Sequence, residues 1–281
     1  MKPVVAELAE AVSLSRRSNL GALGTLFVLT LRQQIRGRRL LVMSLLFALP
    51  AVLAAVVNLA SRLPAPVESL QFALIFNLIP HALAPLAALL YAAGIIQDEV
   101  EEQTLTYLLL RPLPRGAIYL VKLAATLVVT SLLAAVFTAA TFAVLALTAK
   151  EPPPLDLVAT ILRTIGLLAL MQTAYCGLFG LLGLLMRRSL VVGVSYIVLF
   201  EGLLASFDTV ARRLTVMYYF RVLVLRWLNP ASGRDWSISL ATAPSAQTCV
   251  LTLVGVGLVL AIAAAFLFAW KEFRMKTPES A

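Results

Sequence analysis

The chain has 281 residues, 61% hydrophobic and 13% charged, with a mean hydropathy of +0.94 and a formal net charge of +9. A soluble domain is about 45–50% apolar and about 25% charged, so a soluble globular fold is excluded. The apolar residues fall in long unbroken runs rather than short alternating strands, which excludes a lipid-embedded barrel and leaves an all-α polytopic membrane protein.

A bilayer crossing takes roughly 20 apolar residues. Six spans are expected, over Leu40–Ala60, Leu70–Ile96, Ala117–Ala149, Leu155–Met186, Leu190–Phe207 and Gln247–Trp270. Three parts follow: a leader over 1–39, a transmembrane domain over 40–270 with a loop at 97–116 and a long segment at 208–246, and a tail over 271–281. The late first apolar run argues against a cleaved signal peptide. Within the leader, FVLTLRQQIRGRR is apolar and then basic. It reads as an amphipathic helix lying in the membrane interface, or as a plain stop-transfer flank.

Lysine and arginine counts in the short flanks set the orientation. Lys2, Arg16, Arg17, Arg32, Arg36, Arg38 and Arg39 lie in the leader. Arg111 and Arg115 join spans two and three, Arg187 and Arg188 join spans four and five, and Lys271, Arg274 and Lys276 follow the last span. The short loops on the other side carry Arg62 and Lys150. Both termini are therefore expected in the cytoplasm. Segment 208–246 is expected outside despite Arg212, Arg213, Arg221, Arg226 and Arg234, because long segments obey the rule poorly. Within it, LTVMYYFRVLVLRWL is too charged for an easy seventh span and reads as a re-entrant or interfacial helix. The positive charge thus sits at membrane borders, suited to anionic lipid rather than to nucleic acid. Cys176 and Cys249 both lie in apolar runs, so no disulfide framework is expected.

The densest chemistry is the polar island QDEVEEQTLTYLLLRPLPRGAIYLVK, Gln97 to Lys122. Carboxylates at Asp98, Glu99, Glu101 and Glu102 precede a short apolar stretch over Thr104–Leu110. Pro112 stops that stretch, and a new helix is expected near Gly116. A short helix lying parallel to the membrane, with an apolar face ringed by charge, suits a groove on a soluble partner. The plainer reading is a solvated charged hairpin.

The pattern E-x-x-x-x-T-L-x-x-L-L-x-x-P-x-x-R-x-x-I-x-x-x-K, here Glu99, Thr104, Leu105, Leu108, Leu109, Pro112, Arg115, Ile118 and Lys122, resembles the signature of ABC type-2 permeases. That family often has glycine before the threonine, where this chain has Gln103. The basic leader, the six expected spans and the long segment before the last span match as well. The resemblance implies a dimeric, ATP-driven exporter permease in a prokaryotic inner membrane. It implies that Glu99, Glu101, Glu102, Thr104, Leu105, Leu108, Leu109, Pro112, Arg115 and Lys122 form or frame the helix docked on a separate cytoplasmic ATPase subunit. The other partners are a second permease chain and membrane lipid.

Two intramembrane residues stand out. Glu201, in SYIVLFEGLLASF, is a costly carboxylate and a gate candidate, or else it pairs with an arginine near the membrane edge. Tyr196 lies five residues before it, a spacing some family members share. His81, between Pro80 and Pro85, reads as a packed, hydrogen-bonded histidine near a helix bend. Asn58, Asn77 and Gln172 could bridge helices or line a path; Gly177, Gly180 and Gly183 suit close helix packing. The chain has no G-x-x-x-x-G-K-[ST] loop, so ATP and Mg are expected in the partner subunit and none of it here. No zinc motif or Ser/His/Asp set is present, so no metal or catalytic residue is expected. An ion-driven secondary transporter and a non-transporting membrane anchor remain the alternatives.

Overall fold

A computed structural model describes residues 21–60, 67–101, 113–148, 156–186, 188–204, 210–230, 236 and 238–271. Among the described residues every regular element is helical. The expected docking helix over Thr104–Leu110, together with Glu102 and Pro112, lies outside them, as do Arg62, Arg111, Lys150, Arg187, Arg274 and Lys276.

Helix α1 (residues 21–36) buries Leu26 and Thr30 and exposes Arg32 and Arg36. The Gln34 amide donates to Thr126 Oγ1 at 2.7 Å, which fastens α1 to the long helix that carries Thr126. Gly37 breaks the run, and the Leu40 N–H donates to the Gly37 carbonyl at 3.0 Å as α2 (Arg38–Ala60) begins.

The second span is built in pieces: α3 (Val67–Gln71), a π-helical stretch (Phe72–Leu83), α4 (Ala84–Ala92) and α5 (Gly94–Glu101). Pro80 inside it has no N–H and crowds the preceding turn. The disturbance expected there takes the form of a wider helix, with i→i+5 bonding, rather than a break. Pro85 falls in the first turn of α4, where a missing N–H is tolerated. Then come α6 (Arg115–Thr148), α7 (Leu157–Leu185), α8 (Ser189–Tyr196), a second π-helical stretch (Ile197–Leu204), a 3-10 turn (Val210–Leu214), α9 (Val216–Trp227) and α10 (Ala246–Trp270). The start of α6 at Arg115 agrees with the helix expected after the Pro-x-Pro pair.

Among the described residues five helices are long and apolar enough to cross a membrane: Arg38–Leu59, Glu68–Glu99, Arg115–Thr148, Leu157–Leu185 and Ala246–Trp270. The expected span over Leu190–Phe207 is the exception. It holds 8 residues of α-helix followed by 8 of π-helix. At about 1.5 Å per residue that reaches no more than about 24 Å, short of the roughly 30 Å hydrocarbon core. Its composition is that of a span; its described part, through Leu204, is shorter than a crossing, and residues 205–209 lie outside the described residues.

Helix α7 lies at the centre, against α4, α6, α9 and α10. Tyr175, Phe179, Met171 and Leu167 on it are buried. Leu45, Val52 and Leu59 on α2 and Leu251, Leu258 and Phe266 on α10 are exposed, an apolar surface suited to lipid. Lipid tails are as apolar as leucine, so close packing and polar contacts between helices hold such a bundle. Asn58 donates to Thr148 Oγ1 at 2.6 Å, Gln172 to the Ala84 carbonyl at 3.3 Å, and Trp236 Nε1 to Asn77 Oδ1 at 3.1 Å. Of the three polar residues expected to bridge helices or line a path, Asn58 and Gln172 bridge helices, and Asn77 holds Trp236, between α9 and α10.

Candidate functional site

Three consecutive residues on α5 reach three different helices. Successive side chains turn about 100° on a helix, so Gln97, Asp98 and Glu99 fan over more than half of its circumference. Gln97 donates to the carbonyls of Gly183 at 3.2 Å and Met186 at 2.9 Å, at the end of α7, and accepts from the Ser189 hydroxyl at 3.1 Å. Asp98 makes a bidentate pair with Arg39 at the start of α2, at 2.5 and 2.7 Å. Glu99 pairs with the Lys122 ammonium on α6, and the two side chains are only 12% and 5% exposed. Gly94 makes the Asp98 contact possible: a Cβ there would lie 2.5 Å from Arg39 Nη1. Lys271, just past α10, donates to the Leu184 carbonyl and brings the last span into the same base.

These contacts fix the two ends of the polar island. Glu101 closes α5, and Arg115 opens α6 with its side chain exposed. Thr104, Leu105, Leu108 and Leu109 belong to the intervening stretch outside the described residues, with Glu102 and Pro112. Glu99 and Lys122 are spent on each other inside the bundle. The sequence placed Arg39 only among the leader cations and did not single out Gly94, because their partner is 59 residues from the one and four from the other with no motif joining them.

Glu201 occupies a second arrangement. It is fully buried. Its Oε1 accepts from the Val216 N–H at 3.1 Å and its Oε2 from the Met217 N–H at 3.0 Å. Thr215 Oγ1 accepts from the Tyr218 N–H at 3.3 Å. Together they satisfy three of the four open donors at the start of α9, where the helix dipole also favours a negative group. The Tyr196 hydroxyl donates to Glu201 Oε1 at 3.2 Å. The π-helical turn sets residues five apart on adjacent turns, which is how Tyr196 and Glu201 meet. Neither sequence reading, gate or arginine partner, includes this cap. A threonine ahead of an apolar run, Thr215, was the signal that could have found it.

The residues around this carboxylate are polar as well. Tyr175, also buried, lies near Glu201. His81 Nε2 lies 4.0 Å from where a Cβ on Gly202 would stand. Arg221 sits over the Trp236 ring at 5.5 Å, and Trp236 bonds Asn77. His81, on the π-helical stretch, is half-buried. Among the described residues no three His, Cys, Asp or Glu side chains gather to hold a metal ion. What this arrangement can do is hold α9 and the second π-helical stretch as one unit. Glu201→Gln keeps one acceptor oxygen but turns an amide donor toward an N–H and removes the charge from the helix end. A loss of about 2–3 kcal/mol is expected, read as a fall in unfolding temperature of the purified chain. An unchanged melt would remove Glu201 from the cap.

Membrane-length helices joined by buried polar bridges define a multi-pass helical membrane protein. The chain belongs to the ABC-2 transporter family: the family described as ABC-2 family transporter protein matches residues 25–273, from within α1 to just past α10. It is accordingly a membrane component of the ABC permease kind. No curated protein matches the sequence.

Proposed function

We propose that the chain is the permease subunit of an ATP-driven exporter, works as a dimer or beside a homologous chain, and receives force from a separate cytoplasmic ATPase through segment 102–112. The observation that carries the reading is the fan of Gln97, Asp98 and Glu99. A segment held between α5 and α6 has its near end tied to α2, α6 and α7 within three residues. A push on such a segment moves several helices together, as a lever, rather than bending one loop. Closure of an ATPase pair on ATP and Mg would then switch the bundle between two packings. The chemistry of hydrolysis belongs to the partner, since this chain has no phosphate loop. The lysine and arginine bias supports an inner membrane with both termini in the cytoplasm. The alternative of an ion-driven carrier would put Glu201 in a proton or ion path; its oxygens instead hold backbone donors.

Leu105, Leu108 and Leu109 are the apolar anchors, and Glu101, Glu102 and Arg115 the rim. Leu108→Asp/Leu109→Asp would bring carboxylates into a desolvated groove, a cost of several kcal/mol. The expected result is loss of the ATPase from affinity-purified complex, by tenfold or more, with normal membrane insertion of the variant. Full ATPase recovery and normal transport in that double variant would overturn the reading.

A further inference from the structure

The basal end of the bundle contains a polar recess of about 330 Å³ between α1, the start of α2, α4, α5 and α6. A water takes up about 30 Å³ of liquid, so the space is far larger than one bridging water needs. Among the described residues two polar atoms of its walls have no hydrogen-bond partner: the Tyr91 hydroxyl, on a residue only 3% exposed, and Gln34 Oε1. Both point to a group that arrives from outside the chain, because buried polar atoms are ordinarily paired.

The charge of the recess selects that group. Among the described residues its cations are Arg38, Arg39 and Lys122, and its anions are Asp98 and Glu99. Arg39 faces Asp98 and Lys122 faces Glu99 in ion pairs, which leaves the Arg38 charge in excess among these residues. One negative charge fits. The Gln34 carbonyl oxygen asks in addition for a donor, such as a hydroxyl. The location selects the source. Arg38 begins one membrane-length helix and Glu99 ends another, so the recess lies at a membrane border. On α1, Val28, Leu29 and Ile35 are exposed, an apolar path beside the recess for acyl chains.

We propose that this recess binds the headgroup of an anionic phospholipid, with the phosphate at Arg38 and the Tyr91 hydroxyl and a headgroup hydroxyl at Gln34. The lipid would wedge α1 against α5, next to the fan that holds the polar island. The site depends on membrane embedding alone and stands or falls separately from ATPase docking.

The test is native mass spectrometry of the purified full chain with added phosphatidylglycerol, phosphatidylethanolamine or phosphatidylcholine, beside a melting curve for each variant. Phosphatidylglycerol should be retained at least fivefold better than phosphatidylcholine. Arg38→Gln should cut that retention about fivefold and Tyr91→Phe about threefold, while Arg213→Gln, at a position away from the recess, leaves it unchanged. Tyr91→Phe keeps the ring and its packing, so its lipid retention is readable even where Arg38→Gln lowers the melt. Equal retention of all three lipids, or unchanged retention in both recess variants, overturns the proposal. Displacement of phosphatidylglycerol by millimolar inorganic phosphate or glycerol phosphate overturns the lipid source and makes the recess a free-anion site.

Discussion

Gly257→Ala should lower the unfolding temperature of the chain, while Gly255→Ala, two residues away on the same helix, should leave it unchanged or slightly raised. A Cβ at position 257 would lie 2.6 Å from the Thr173 carbonyl oxygen and 2.8 Å from its carbon. A Cβ at Gly177 would lie 2.6 Å from the Gly257 oxygen in return. Helices α7 and α10 therefore cross backbone against backbone, and the obstructing atoms cannot rotate aside as a side chain could. An extra methyl forces the helices apart along the most extensive helix pairing in the fold. Overpacking of this kind costs about 1–3 kcal/mol, and a bulkier Gly257→Leu should exceed that and prevent folding. Position 255 has nothing within 4 Å and faces open space. There alanine brings only its better helix propensity, up to about 1 kcal/mol. The measurement is thermal unfolding in detergent followed by size exclusion. Equal melts for the two variants would mean that the crossing is not what holds these helices.

The same crossing shows what the letters of the chain could and could not convey. Glycines at 177, 180 and 183 recur every three residues, and that alone announces a close helix contact. It does not say which helix arrives; Gly257 is 80 residues away, and nothing in its local pattern differs from Gly255. The long spans were legible because crossing a bilayer demands a number of consecutive apolar residues, and α2, α6, α7 and α10 supply it. The stretch after Ser189 has the same composition. Its described part is shorter than a crossing because half of it is π-helical, and hydropathy does not record rise per residue. At Glu201 the burial of a carboxylate was legible as a cost. Its solution was not, because backbone N–H groups at Val216 and Met217 have no signature of their own. In the polar island, the motif put Glu99 and Lys122 in one stretch expected to dock a partner. That they face each other inside the bundle depends on how α5 and α6 are laid side by side.

That pair is the sharper test of how the island works. Lys122→Met leaves Glu99 with a charge in a site where its side chain is only 12% exposed. Removing one member of a buried pair costs about 3–5 kcal/mol, mostly the penalty for the stranded partner. Glu99→Gln strands Lys122 in the same way, and each single variant should melt well below the parent. The double variant Glu99→Gln/Lys122→Met strands neither. It should recover most of the loss, because replacing a buried pair by groups of similar volume is often nearly neutral. The coupling energy from the cycle is the pair's own signature, since residues in contact do not add. Docking on the ATPase predicts a different pattern. If Glu99 instead met the soluble partner directly, Glu99→Gln would weaken ATPase recovery with an unchanged melt, and Lys122→Met would not restore it. Glu99 pairs with Lys122 where both side chains are largely buried, so the expected order is reversed: stability falls first, and recruitment suffers only as α5 loosens from α6. Stable Glu99→Gln protein that fails to hold the ATPase would put the carboxylate at the partner's surface and the lever elsewhere.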